Sequence, residues 1–161
     1  MNDQHLTCKP LIYKRYVDDI FAVFETPAAR DTFYDILNKA HPNLSFTMEI
    51  TTNKLPFLDV SISIKDNSYN TEVYRKPTNT GILMNFDCMA PRKWKKALIK
   101  CLLTRAYRVS SDSRCLDTEI NNIKDCLQKN DYPRPFINKV YEEFLKSRNT
   151  KDGSIEEQEQ N

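Results

Sequence analysis

The sequence predicts an α+β fold, and three observations carry that expectation. Apolar and polar residues alternate between residues 44 and 75, the period of half-buried strands. From residue 91 onwards the apolar residues recur at three- and four-residue spacing, the period of amphipathic helices. Pro91 marks the change between the two patterns. The expected architecture is a small antiparallel sheet with one packed helix over residues 8–80, followed by a three-helix bundle over residues 91–148.

Each element has a local reason. Residues 11–24 hold two short runs, Leu-Ile-Tyr-Lys-Arg-Tyr-Val and Ile-Phe-Ala-Val-Phe, split by Asp18 and Asp19. Aromatic and β-branched side chains favour strands and acids favour turns, so the stretch reads as a β-hairpin with both carboxylates at its tip. Thr26 is placed to cap a helix that begins at Pro27, shows Ala29, Phe33, Ile36, Leu37 and Ala40 on one face, and closes at His41-Pro42. Leu44, Phe46, Met48 and Ile50 alternate with polar residues, as do Leu58, Val60, Ile62 and Ile64, which predicts two strands. A turn at residues 65–68 returns the chain into a third strand at residues 69–75. In the helical half, Trp94, Leu98, Cys101, Leu102 and Ala106 define the expected buried face of the first helix. Ser111 or Asp112 caps a second helix burying Leu116, Ile120, Ile123 and Leu127. After a turn at residues 130–133, a third helix buries Phe136, Ile137, Val140, Tyr141, Phe144 and Leu145. Residues 149–161 are polar and acidic and read as a disordered tail.

Composition removes several function classes. In 161 residues, 40% hydrophobic and 29% charged describe a soluble globular chain. Only Gly81 and Gly153 are glycines, which excludes the P-loop and the dinucleotide fingerprint. His5 and His41 lie too far apart for a zinc-protease helix. Five cysteines without a CxxC pair argue against a disulfide framework or a Cys-rich zinc site and favour a reducing compartment. No apolar run approaches the length of a membrane span and the N-terminus has no signal-peptide core, so an intracellular, non-secreted chain is expected.

The sharpest signal is Tyr16-Val17-Asp18-Asp19 between two strand-like runs. Two adjacent carboxylates at a hairpin tip repel one another unless a cation shares them. Hard divalent metals take such oxygen ligands, and two-metal phosphoryl transfer requires them. An acidic turn facing solvent is the simpler explanation for the tetrapeptide alone. Its setting adds weight. RYVDDIF, followed in order by FTMEI, LPFLDVSI, TEVYRKPT and a Lys-rich helix containing LLTRA, resembles the reverse transcriptases of Penelope-like retroelements over residues 8 to about 145.

That resemblance implies an RNA-directed DNA polymerase. Residues 8–80 would be the C-terminal part of a palm, and residues 91–148 the thumb, a region also known as a helix-turn-helix in such elements. It implies that Asp18 and Asp19 are catalytic and hold Mg²⁺ or Mn²⁺, with Tyr16 packed beneath them near the primer end. It places Tyr74, Arg75 and Lys76 where the RNA template and DNA primer are held, with ordinary strand packing an equal alternative for Tyr74. Asp59 of LPFLD would be structural. The element's life cycle implies a nuclear site.

Charge points the same way. Residues 91–109 hold Arg92, Lys93, Lys95, Lys96, Lys100, Arg105 and Arg108 with no acid, although the whole chain is only +2. Arg92, Lys96 and Lys100 recur every four residues, as a helix tracking phosphates would show. Other features depart from the family. The third palm carboxylate, the fingers and the GIY-YIG endonuclease have no counterpart, and Cys88-Met89-Ala90-Pro91 replaces the usual Ser and His-Pro. The expectation is therefore a polymerase fragment inactive by itself, with an exposed sheet edge. Two alternatives stand beside it: a non-catalytic nucleic-acid-binding helix-turn-helix module, and a decayed retroelement relic.

Overall fold

A computed structural model describes residues 8–65 and 68–156 of the chain. The chain divides into two compact units, Met1–Leu58 and Asp59–Asn161.

The first unit opens with strands β1 (Ile12–Tyr16) and β2 (Asp19–Val23), paired antiparallel from Ile12↔Val23 to Tyr16↔Asp19. The expected hairpin therefore forms, with Val17 and Asp18 as its two-residue loop. Helix α1 (Pro27–Lys39) follows, and the Thr26 hydroxyl accepts a hydrogen bond from the Ala29 amide at 3.2 Å, as the capping pattern requires. Its Phe33 ring lies against Tyr13 and Phe24, with centroids 6.2 and 5.3 Å apart. No α1 side chain is fully buried, so half-buried aromatic contacts hold this unit together.

The strand expected at residues 44–50 does not form. The backbone of Phe46 is satisfied by α1 side chains instead. Its amide donates to the Asn38 amide oxygen at 2.7 Å, and its carbonyl accepts from the Tyr34 hydroxyl at 2.8 Å. Leu44, Met48 and Ile50 are exposed, so the alternation has no buried face to serve. A short strand β3 (Lys54–Phe57) appears instead, and Phe57 packs on Phe21 with ring centroids 5.6 Å apart.

The second unit contains β4 (Val60–Lys65) and β5 (Ser68–Val73), an antiparallel pair in register from Val60↔Val73 to Lys65↔Ser68. Of the turn expected there, residues 66 and 67 lie outside the described residues. Three helices follow: α2 (Arg92–Val109), α3 (Ser113–Lys129) and α4 (Arg134–Glu156). Asp112 is the cap of α3, accepting from the Cys115 amide at 2.6 Å. The expected disordered tail overlaps the end of α4, which continues to Glu156, while residues 157–161 lie outside the described residues.

The core is Ile99, Leu103 and Ala106 of α2, Ile120, Ile123 and Leu127 of α3, and Ile137, Val140 and Phe144 of α4, joined by Tyr132. For α3 and α4 these fall on the expected faces. Helix α2 is rotated by about one residue from the expected face. Lys95, Ile99, Leu103 and Ala106 are buried, Leu98 and Leu102 are half-buried, and Trp94 and Cys101 face solvent.

The sequence pattern placed the domain change between residues 80 and 91, yet β4 and β5 belong with the helices. Hydrogen bonds explain this. The Thr71 hydroxyl donates to the Val109 carbonyl at 2.6 Å, the Ser111 amide donates to the Thr71 carbonyl at 3.0 Å, and Asn70 donates to the Asp112 carboxylate at 3.0 Å. Strand β5 is thereby stapled to the link between α2 and α3. The segment before α2 is held by buried Asn130, which donates to the carbonyls of Gly81 (2.9 Å) and Cys126 (2.8 Å) and accepts from the Leu83 amide at 2.9 Å.

Two substitutions test this packing. Leu127→Ala, at a fully enclosed core position, should cost about 2–5 kcal/mol in urea denaturation. Asn130→Ala removes three hydrogen bonds to half-buried backbone groups and should cost about 1–3 kcal/mol, measured the same way.

Candidate nucleic-acid interface

The hairpin tip places Asp18 in the loop and Asp19 at the start of β2, both exposed. Tyr16 is 60% exposed beside them and does not pack beneath the pair as the family pattern implies. It stands opposite Asp19 on a two-stranded ribbon that, among the described residues, has no further strand paired to it. Val17 adopts φ 53, a left-handed conformation that a β-branched side chain resists. Among the described residues, no group of three or more His, Cys, Asp or Glu side chains is placed to hold a metal ion. Two exposed carboxylates supply too few oxygen ligands for Mg²⁺ or Mn²⁺, so these residues do not fit a two-metal centre and no catalytic step follows from them.

The YRKPT segment is also placed differently. Strand β5 ends at Val73, so Tyr74, Arg75 and Lys76 lie beyond it. The Tyr74 amide is tied to the Asp59 carbonyl at 2.8 Å. The Arg75 guanidinium grips buried Glu119 of α3 through two bonds of 2.5 and 2.6 Å, a planar fork-to-fork ion pair. Its charge is neutralised within the fold and is not offered to a phosphate. Lys76 is exposed and has no ion pair among the described residues.

The cations of α2 divide by role. Lys95 is buried, its ammonium donating to the carbonyls of Phe86 and Cys88, the latter at 2.9 Å, and lying 5.0 Å from the centre of the Phe86 ring. Lys96 pairs with Glu143 of α4 at 3.2 Å, with Lys100 close to the same carboxylate. Arg105 reaches the Asp59 carboxylate at 3.5 Å and the Tyr74 carbonyl at 3.3 Å. Arg92 lies 5.8 Å over the Phe136 ring but remains exposed. Lys93 and Arg108 are exposed without an ion pair among the described residues. The expected Arg92–Lys96–Lys100 stripe is thus drawn toward α4, because the rotation of α2 turns that edge to its neighbour.

Helices α3 and α4 meet through the four-residue turn 130–133, in which Asp131 takes φ 64 and Tyr132 is buried. Four residues between two packed helices is the spacing of a helix-turn-helix. A shallow groove of about 230 Å³ runs along their junction, lined by Asn121, Lys124, Asp125, Gln128, Arg134 and Asn138, with the Ile137 side chain at its floor. Arg134 donates to the Gln128 side chain at 2.6 Å at the mouth of α4, and Asn138 and Lys139 are exposed one turn further on. The sequence reading passed over this polar seam because it tracked the apolar faces of α3 and α4. The signal was the amide-rich set Asn121, Asn122, Gln128 and Asn138 on the opposite faces.

Titration behaviour does not suggest a catalytic group. The Lys96 ammonium holds the Glu143 carboxyl below the usual carboxylate range, and the Cys115 amide does the same for Asp112. Burial, helped by Asp112, pushes the Cys115 thiol up, so it is a poor nucleophile. Burial and a hydrogen bond with Tyr107 take Tyr141 to about 12.

Comparison with known proteins agrees with the helical geometry. Residues 82–142 match the animal helix-turn-helix domain family, a span covering α2, α3 and the first turns of α4. No curated protein and no solved structure matches the chain. No described helix is long and apolar enough to cross a membrane.

Three outcomes follow. Arg75→Ala leaves the buried Glu119 carboxylate without its partner and should cost about 2–3 kcal/mol in chemical denaturation. Val17→Gly relieves the left-handed strain and should stabilise the hairpin by about 1 kcal/mol, read as slower amide exchange in β1 and β2. Asp112 and Glu143 have lowered carboxyl pKa values in the folded state, so their contribution is intact above about pH 4.5 and is lost as pH falls through the folded values. Thermal melts from pH 6 to pH 2 should therefore show an acid-side loss of stability, made shallower by the double substitution Asp112→Asn and Glu143→Gln.

Proposed function

We propose that this protein binds nucleic acid through a helix-turn-helix formed by α3, the turn at 130–133 and α4. The observation that carries the proposal is the family match over residues 82–142, a span that contains α2, α3, the four-residue turn and the first turns of α4. Electrostatics supports it. Residues 82–142 hold twelve Lys and Arg against seven Asp and Glu, a net of +5, while the whole chain is +2. The second helix of such a motif presents its N-terminal residues to base edges. Here those residues are Arg134, Asn138 and Lys139. Arginine and asparagine are the side chains that pair with guanine and adenine edges in the major groove.

The test is fluorescence anisotropy with labelled duplexes from about 50 to 200 mM salt. Binding should weaken steeply with salt, and the double substitution Arg134→Ala and Lys139→Ala should reduce the logarithmic slope by about 2. A salt-independent signal, or an unchanged slope in the double variant, would remove the reading.

A second reading keeps the chain as a piece of an RNA-directed DNA polymerase. What favours it is the hairpin, which carries Asp18 and Asp19 on a tip whose Val17 stays strained at φ 53. The positive φ at Val17 is what a two-residue hairpin loop requires, and the turn keeps the two carboxylates adjacent at its tip. The two carboxylates alone fall short of a metal site, so catalysis would belong to a larger assembly that supplies further ligands. Asp18→Ala should then abolish divalent-metal dependence in that assembly and leave duplex binding by the isolated chain unaltered.

A further inference from the structure

We infer that the solvent face of α2 is a platform for an unpaired nucleic-acid strand, on which Trp94 stacks a base beside Lys93 and the strand runs on toward Arg108 at the far end of the helix. The platform is separate from the α3–α4 seam and does not depend on it.

Four observations lead there. Trp94 is 55% exposed although a large apolar core lies within the same unit. An indole offers more burial than any other side chain, so leaving it outward forgoes stabilisation that a rotated helix would have gained. Its outward position is fixed, because the opposite face of α2 is committed to Lys95, Ile99, Leu103 and Ala106. The surface around it is suited to a polyanion. Lys93 and Arg108 are exposed and carry no ion pair among the described residues, and α2 contains no acid at all. Between them lie Ala97 and Cys101, both exposed and both small, which leaves the indole face unobstructed along the helix.

Charge decides the occupant. A protein partner docking on an apolar helix face would meet an indole beside exposed Lys93, on a helix that carries no acid to relieve the cation. A nucleic-acid strand satisfies both features, because phosphates neutralise the cations and a base covers the ring. Base pairs inside a duplex keep both faces covered, so an aromatic platform favours single strands, in which every base presents a free face. The 18 residues of α2 span about 27 Å, enough to lie along several nucleotides.

Trp94 is the single tryptophan of the chain, so its fluorescence reports on this position alone. The experiment titrates the full chain with a twelve-nucleotide oligo(dT), with a blunt duplex of equal length, and with polyglutamate as a non-nucleic polyanion. The platform requires saturable quenching by oligo(dT), little quenching by the duplex and none by polyglutamate. Trp94→Ala should weaken oligo(dT) binding about ten-fold by anisotropy, whereas Trp94→Phe should keep most of the affinity because it retains a stacking ring. The double substitution Lys93→Ala and Arg108→Ala should lower the salt slope by about 1.4 while Trp94 still quenches. The side chains changed are exposed, so circular dichroism should show each variant folded. Equal quenching by polyglutamate, or unchanged affinity in Trp94→Ala, would overturn the platform. So would a concentration-dependent dimer, seen by sedimentation and removed by Trp94→Ala, since a second copy would then cover this face. Loss of duplex binding in the Arg134 and Lys139 variant with oligo(dT) quenching retained would separate the two surfaces.

Discussion

The Lys95 ammonium, held by the carbonyls of Phe86 and Cys88, fixes how the helical unit presents itself. A charged group inside a packed interior is tolerated only when its donors are satisfied, and here two backbone oxygens and an aromatic face do so. With Lys95 turned inward, Ile99, Leu103 and Ala106 follow it into the core at helical spacing. The same rotation carries Trp94 and Cys101 outward and draws Lys96 against Glu143. The surface that α2 presents to solvent is therefore tied to one buried cation.

A second constraint acts on the arginines. Arg75 and Arg105 are the cations that strand-end and helix positions would most readily offer to phosphates. Both are consumed in holding β4, β5 and the Tyr74 segment to α2 and α3. Charge count alone thus overstates the binding surface. The exposed cations without an ion pair among the described residues include Lys76, Arg92, Lys93 and Arg108, with Arg134 and Lys139 at the start of α4.

The two units also differ in what holds them. The helical unit has a continuous core in which three helices each contribute several enclosed side chains. The N-terminal unit relies on half-buried rings around Phe33 and Phe21, and α1 buries nothing completely. A two-stranded ribbon with one helix has little apolar area to remove from water, so its stability margin is small. The strain at Val17 has to be carried on that margin.

The sequence by itself determined the elements whose signals are local. The hairpin at Asp18 and Asp19, the Thr26 cap, a cap at Ser111 or Asp112 and the buried faces of α3 and α4 follow from capping chemistry and hydrophobic period, whereas α4 runs on to Glu156 through residues whose polar composition reads as a tail. The alternation at residues 44–50 carried the same local signal and failed, because Asn38 and Tyr34 satisfied the Phe46 backbone and no partner strand lay alongside. The rotation of α2 was set by tertiary packing, since Trp94-Leu98-Leu102 and Lys95-Ile99-Leu103 share one spacing and differ in what waits across the interface. The fates of Arg75 and Lys96 were settled in the same way, by acids 44 and 47 residues away that no local pattern connects to them. Local propensity reads along the chain, whereas ion pairing and helix rotation are fixed by groups that meet only once the chain has folded.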